Sequence, residues 1–226
     1  MSLTSYSEFL KENKLSGNKE QTDMIKRVGA RISAAVEKYL RDNGFADRVA
    51  DFKWEFNLVE NDQLNAWCMP GGKVVFYTGI LPTAKNDVGV AVVMSHEIAH
   101  AVARHGNERM SQQMVAQFGS TALSEIIKTK PEQTQAIYQS LYGLGAQYAV
   151  MLPYSRLHEY EADKLGLIFM AIAGYEPSEA IGFWERMAAN STAKMPEFIS
   201  THPVEQNRIE AIRNFLPEAN KFKPGK

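Results

Sequence analysis

Val88-Gly89-Val90-Ala91-Val92-Val93-Met94-Ser95-His96-Glu97-Ile98-Ala99-His100-Ala101-Val102-Ala103 is the stretch on which the fold turns. Its apolar residues surround the helix on every side rather than along one stripe, so the segment reads as a helix buried in a core. Two imidazoles and a carboxylate inside such a helix are costly to desolvate unless a partner satisfies them, and a metal ion is an economical partner. His96 and His100 stand at i and i+4 on one helical face. From there both rings can aim a nitrogen at one point roughly 2 Å from each, a distance suited to Zn²⁺. Glu97 projects beside that point, placed to hold a metal-bound water and accept its proton. The string HExxH is expected by composition only about 0.01 times in a chain of this length. The apolar flanks set it apart from a chance occurrence on a surface helix.

A catalytic zinc site wants a third protein ligand and an open fourth position. The longer pattern HExxHxxGxxH would need glycine at Ala103 and histidine at Gly106, and has neither. His105 lies about 140° around the helix from His100, so it reads as a surface or helix-end histidine. Cys68 offers a thiolate of the peptide deformylase kind, but Ala66-Trp67-Cys68-Met69-Pro70 does not resemble that enzyme's cysteine motif. The remaining candidate is Ser155-Arg156-Leu157-His158-Glu159-Tyr160-Glu161-Ala162-Asp163, which opens a second apolar helix. Glu159 and Asp163 share a face there, with Gly166 one turn further on. That face suits a neighbouring metal helix: Glu159 as third ligand, Asp163 orienting a ligating imidazole through its other nitrogen, and glycine allowing close approach. Glu161 is about 200° away from Glu159 and points elsewhere. Without the HExxH helix, the two acids would read simply as a solvated helix start.

Outward from these helices the texture is mainly helical. Met24, Ile25, Val28, Ile32, Val36, Tyr39 and Leu40 predict an amphipathic helix from about Glu20 to Leu40, ended by Asn43-Gly44. Short β-type runs follow at Phe52–Phe56, Gln63–Met69 and Lys73–Tyr77, the last two joined by Pro70-Gly71-Gly72. Further helices are predicted over Glu108–Lys128, Glu132–Met151 and Ser155–Ala173, and from Pro177 to Ala189 and Pro203 to Phe215, with a polar loop over Asn190–His202. The expectation is an α+β fold: one mainly helical domain spanning 1–226, its core over about 20–217, with a small antiparallel sheet beside the HExxH helix. The 226 residues carry 25 Lys+Arg against 26 Asp+Glu, so the chain lacks the cationic surplus that nucleic-acid binding needs. The longest apolar run, Leu165 to Tyr175, is far short of the roughly 20 residues that cross a bilayer. A single cysteine excludes an intrachain disulfide.

Four separated elements together resemble the M48 family of zinc peptidases: Asn65 to Leu81 (NAWCMPGGKVVFYTGIL), His96 to His100 (HEIAH), Tyr154 to Asp163 (YSRLHEYEAD) and Thr201 to Pro203 (THP). The family includes the type-I CAAX prenyl proteases, HtpX, BepA and LoiP. The resemblance implies a gluzincin fold with one Zn²⁺ per chain held by His96, His100 and Glu159, and Glu97 as general base. It also implies an Asp at Asp163 and an Arg at Arg208 beside the ligands. His202 is implied above the metal, either stabilising the transition state or latching the open position.

The implied activity is metalloendopeptidase cleavage of extended or misfolded polypeptides, seated along an edge strand within about Gln63–Tyr77 by main-chain hydrogen bonds. Trp67, Val75 and Tyr77 also read as core residues on their inward faces. A zinc-bearing chaperone or scaffold with latent activity is the alternative. Without spanning helices, prenyl-protein processing is disfavoured, and the short soluble or lipid-anchored bacterial type is the nearest kind. That expectation places the chain in the periplasm or on a membrane as a lipoprotein, with outer-membrane assembly partners, and requires a leader that these residues lack. A cytoplasmic location stays open.

Overall fold

The computed structural model describes residues 3–114, 118, 152–189, 198, 202 and 206–225. Its backbone forms two compact units, Met1–Ala103 with Tyr160–Lys226, and Arg104–Glu159. The expected helix over Glu132–Met151 lies outside the described residues.

In the first unit, α1 (Leu3–Glu12) and α2 (Lys19–Asp42) precede the sheet. The Asn18 side chain accepts a hydrogen bond from the Gln21 N–H and so satisfies one of α2's unpaired N-terminal donors. Ile25, Val28, Ile32, Val36 and Leu40 form its fully buried stripe. Gly44, at φ +79°, turns the chain out of the helix in a conformation that side chains with a Cβ resist.

Strands β1 (Glu55–Val59), β2 (Ala66–Met69) and β3 (Lys73–Tyr77) form a sheet in the order β1-β3-β2. β2 pairs antiparallel with β3 across the Pro70-Gly71-Gly72 turn, but β1 pairs with β3 in parallel. The expected antiparallel sheet is therefore mixed. The chain reverses direction at each step, and β1 sits beside β3 rather than β2, so two reversals leave these neighbours pointing the same way. β1 also begins later than expected, at Glu55, with the Phe52 and Trp54 rings packed edge to face just before it.

Alternation along the strands divides their side chains between two clusters. Leu58, Ala66, Val74 and Phe76 join the main core with α2 and the HExxH helix. Val59, Met69, Val75 and Tyr77 pack beneath α1 with Tyr6, Phe9, Leu10 and Trp67. Both inward readings of Val75 and Tyr77 as core residues are met. Leu15 bridges Val59 in antiparallel fashion, and the Ser16 N–H donates to the Leu58 carbonyl at 2.8 Å. The outer edge of β1 is thereby occupied and β3 is central, so Lys73–Tyr77 is not an edge strand. Within Gln63–Tyr77 only β2 lies at an edge of the sheet.

After a short α3 (Leu81–Ala84), α4 (Asp87–Ala103) carries HExxH. Asn86 starts it, its side-chain oxygen accepting from the N–H groups of Val88 and Gly89 at 3.0 and 3.1 Å. Every residue from Gly89 to Ala99 is buried, as a helix apolar on all sides requires. The long helix α5 (Leu152–Ile172) passes through the division of the chain, and α6 (Glu179–Ala189) and α7 (Gln206–Asn220) follow. α7 runs beyond the expected end at Phe215, through Pro217, and buries Ala219.

In the second unit a helical segment covers 105–114. His105, expected at the surface or at a helix end, lies just past the end of α4 and is 2% exposed, so it is buried rather than on the surface. Its ring stacks on His158 at 4.3 Å, and His158 Nε2 lies 3.1 Å from Glu108 Oε2. A tertiary partner, invisible in the helical wheel, covers it. Among the described residues no helix is long and apolar enough to cross a membrane.

Candidate metal centre

α4 turns the two HExxH histidines toward one point: Nε2 of His100 lies 3.1 Å from Nε2 of His96. His202 enters from the other side, its Nδ1 3.3 Å from His96 Nε2, and its ring centroid 5.1 Å from the centroids of both histidines. Donor atoms of His96, His100, Glu159 and His202 all lie within 4.8 Å of one another. This set fits a divalent ion. Two ligands bound tetrahedrally at about 2.0–2.1 Å stand about 3.3 Å apart, close to the separations of these nitrogens, and imidazole with carboxylate suits zinc. Facing ring nitrogens at 3.1 Å otherwise need a proton placed between each pair. Glu97, 5% exposed, stands beside the cluster, and His202 Nε2 is 3.5 Å from its Oε1.

Glu159 is 3% exposed and rides on α5 one turn before Asp163, whereas Glu161 on the opposite side is exposed. Asp163 Oδ1 lies 3.0 Å from His96 Nδ1, so His96 donates its Nδ1–H there and turns Nε2 to the cluster. Arg208, on α7, grips the same carboxylate with two hydrogen bonds, Nε to Oδ2 at 2.6 Å and Nη2 to Oδ1 at 2.8 Å. Burial pushes the Asp163 carboxyl up, but the Arg208 guanidinium and the hydrogen bonds from Arg208 and His96 outweigh it. They hold the group below its ordinary range, ionised. Gly166 lets α5 approach α4: a Cβ there would meet Ser95 Oγ at 3.2 Å and the His96 backbone nitrogen at 3.3 Å.

Two aromatic residues that carry no signal in the sequence complete the surroundings. Trp184 of α6 packs edge to face on His96 with centroids 5.2 Å apart, and the Arg208 guanidinium lies 3.9 Å over its ring. Phe198 packs against His202 at 4.7 Å. Neither spacing nor composition distinguishes these rings from ordinary core. Cys68, on β2, lies outside the donor cluster formed by the described residues. Burial and the nearby Glu97 charge push its thiol far above the ordinary range, which leaves it a poor ligand or nucleophile.

The model of peptidase family M48 matches residues 26–216. The chain is 38% identical over 173 residues to the mitochondrial metalloendopeptidase OMA1 of Schizosaccharomyces pombe, covering 76% of this chain and 49% of that protein. It is 30% identical over 212 residues to the human mitochondrial metalloendopeptidase OMA1, covering 90% and 40% respectively. It is 29% identical over 181 residues to the beta-barrel assembly-enhancing protease of Escherichia coli, covering 76% and 35%. The chain thus spans about half or less of the length of these relatives. A match reaching from within α2 into α7 takes in the HExxH helix, α5, α6 and His202 together, and the chain belongs to peptidase family M48.

Proposed function

We propose that this chain is a zinc-dependent metalloendopeptidase, with residues 26–216 as its catalytic domain, and that His96, His100 and Glu159 hold the ion. The convergence of these donors beside a buried Glu97 is the observation that carries this reading. Zinc bound there supplies a coordinated water of lowered pKa and a Lewis acid for the scissile carbonyl. Glu97 accepts the water's proton and hands it to the leaving amine, a role worth about 10²–10⁴ in rate. Asp163, fixed by Arg208, keeps His96 in the tautomer whose Nε2 faces the ion. His202 supplies a ring N–H for the oxyanion, worth about 3 kcal/mol for a single donor. β2 supplies an edge to which an extended polypeptide adds as a strand, so recognition runs through the main chain and suits misfolded segments.

A latent form of the same site is the second reading. It is favoured by the His202 nitrogen only 3.3 Å from His96 Nε2, where it competes for the position that substrate or water needs. In that reading the chain is a zinc-bearing chaperone or scaffold until the histidine withdraws. A relative named for enhancing β-barrel assembly supports our placing the chain in the periplasm or on a membrane, with outer-membrane assembly partners.

The test is metal content beside cleavage of casein. Glu97→Gln should retain one zinc per chain and lose cleavage by at least about 10²-fold. Glu159→Ala should lose the zinc and Glu161→Ala should keep it; equal loss, or none, overturns the ligand assignment. Wild type and Glu97→Gln cutting casein alike would overturn the peptidase reading.

A further inference from the structure

We propose that Trp184 is a positioning residue of the metal centre, one indole that holds the His96 ring and the Arg208 guanidinium in register from α6. The inference rests on the metallopeptidase reading above. Trp184 is 1% exposed and makes contacts of three kinds. Its edge-to-face contact with His96, at 72° between planes, blocks rotation of that imidazole about its long axis. Its face carries the guanidinium at 3.9 Å, inside the range in which a ring quadrupole attracts a cation. Its ring lies nearly parallel to Phe198 at 6.2 Å and 22°, and Phe198 in turn supports His202.

The position matters because of what these groups do to one another. Arg208 directs two hydrogen bonds to Asp163 in the plane of its fork, and its Nη2 also lies 3.4 Å from both ring nitrogens of His96, so the guanidinium and the imidazole that Trp184 touches are in contact with each other as well. The indole face, 3.9 Å from the guanidinium carbon, adds a restraint perpendicular to the fork. A cavity of about 10 Å³ beneath the site, lined by Ser95, His96, Asp163, Gly166 and Trp184 among others, has room for no more than a single water. A smaller apolar side chain at 184 would enlarge it, hydrate the Asp163–Arg208 pair and release the His96 ring. A phenylalanine keeps a flat aromatic face for the cation and most of the bulk, so what is positioned by the ring should survive Trp184→Phe and fail in Trp184→Leu.

The experiment measures zinc release from the purified full chain to a chromogenic chelator, alongside thermal unfolding of the metal-free proteins. Trp184→Leu should release zinc about tenfold faster or more, the size seen when outer partners of ligands are removed, with Trp184→Phe within about threefold of wild type. Equal release by both variants and wild type overturns the inference, as does acceleration that is identical in Phe and Leu and simply follows the loss of thermal stability. A second measurement needs no destabilising change at 184. In the Trp54→Phe/Trp67→Phe background Trp184 is the sole tryptophan, and cobalt at the site should quench its indole emission strongly where zinc does not; unquenched indole emission with cobalt bound overturns the inference. Wild type that takes up no zinc or cobalt overturns the metallopeptidase reading itself, a different outcome from normal uptake with indifferent variants.

Discussion

Asp163 and Arg208 are 6% and 2% exposed and bound to each other by two charge-assisted hydrogen bonds, so removing either one alone breaks a buried ion pair. Arg208→Met leaves a buried carboxylate whose remaining partner is His96. Asp163→Asn leaves a buried guanidinium facing an amide that offers it a donor NH₂ as readily as an acceptor. Breaking one side of a buried pair costs about 3–5 kcal/mol. At about 2–4 °C per kcal/mol for a chain of this size, each single variant of the metal-free protein should melt roughly 6–20 °C lower. The double variant Asp163→Asn/Arg208→Met removes the stranded charge and lets a methionine lie on Trp184. It should recover more than half of that loss. Zinc affinity should behave differently, falling about 10–100-fold in both proteins that lack the Asp163 charge, because His96 then has a weaker acceptor behind it. Calorimetry of the four metal-free proteins and zinc competition titrations check both arms. Additive losses of stability, or an Asp163→Asn protein that holds zinc like wild type, would refute this account of the pair.

Gly166→Ala places a methyl group 3.2–3.3 Å from Ser95 and His96. We expect zinc affinity to drop while stability changes by no more than about 2 kcal/mol, since overpacking and improved helix propensity oppose each other; a variant more stable than wild type with unchanged zinc binding would show that the helices have room. The Tyr6 phenol is pushed up to about 12, chiefly by burial under the sheet, with the Asn57 hydrogen bond opposing and Glu55 adding to the rise. A raised folded value favours the protonated form. The stability it contributes is therefore complete below the ordinary tyrosine value of 10.0 and is lost as pH climbs through about 12. Denaturant melts between pH 9 and 12 should show Tyr6→Phe losing less stability than wild type over that interval, and parallel curves would contradict the shift.

His96, His100 and Glu97 are legible in the sequence because a helix apolar all round has no cheap place for two imidazoles and a carboxylate. The period of 3.6 residues then fixes which of them share a face. The same period separates Glu159 and Asp163 from Glu161, which the structure leaves exposed. These are local statements, true of any helix with those residues. The order β1-β3-β2, the Leu15 bridge that occupies one edge, and the docking of α1 depend on which strand lies beside which, and alternation within a strand is the same in either arrangement. Sequence spacing also says nothing about contacts between distant elements. His105 finds its stacking partner 53 positions away at His158, and Trp184, Arg208 and Asp163 meet from three separate helices. Periodicity within one element determines a side chain's direction; its neighbour is decided only when the whole chain closes, because burial energy is indifferent to the identity of the surface that covers it.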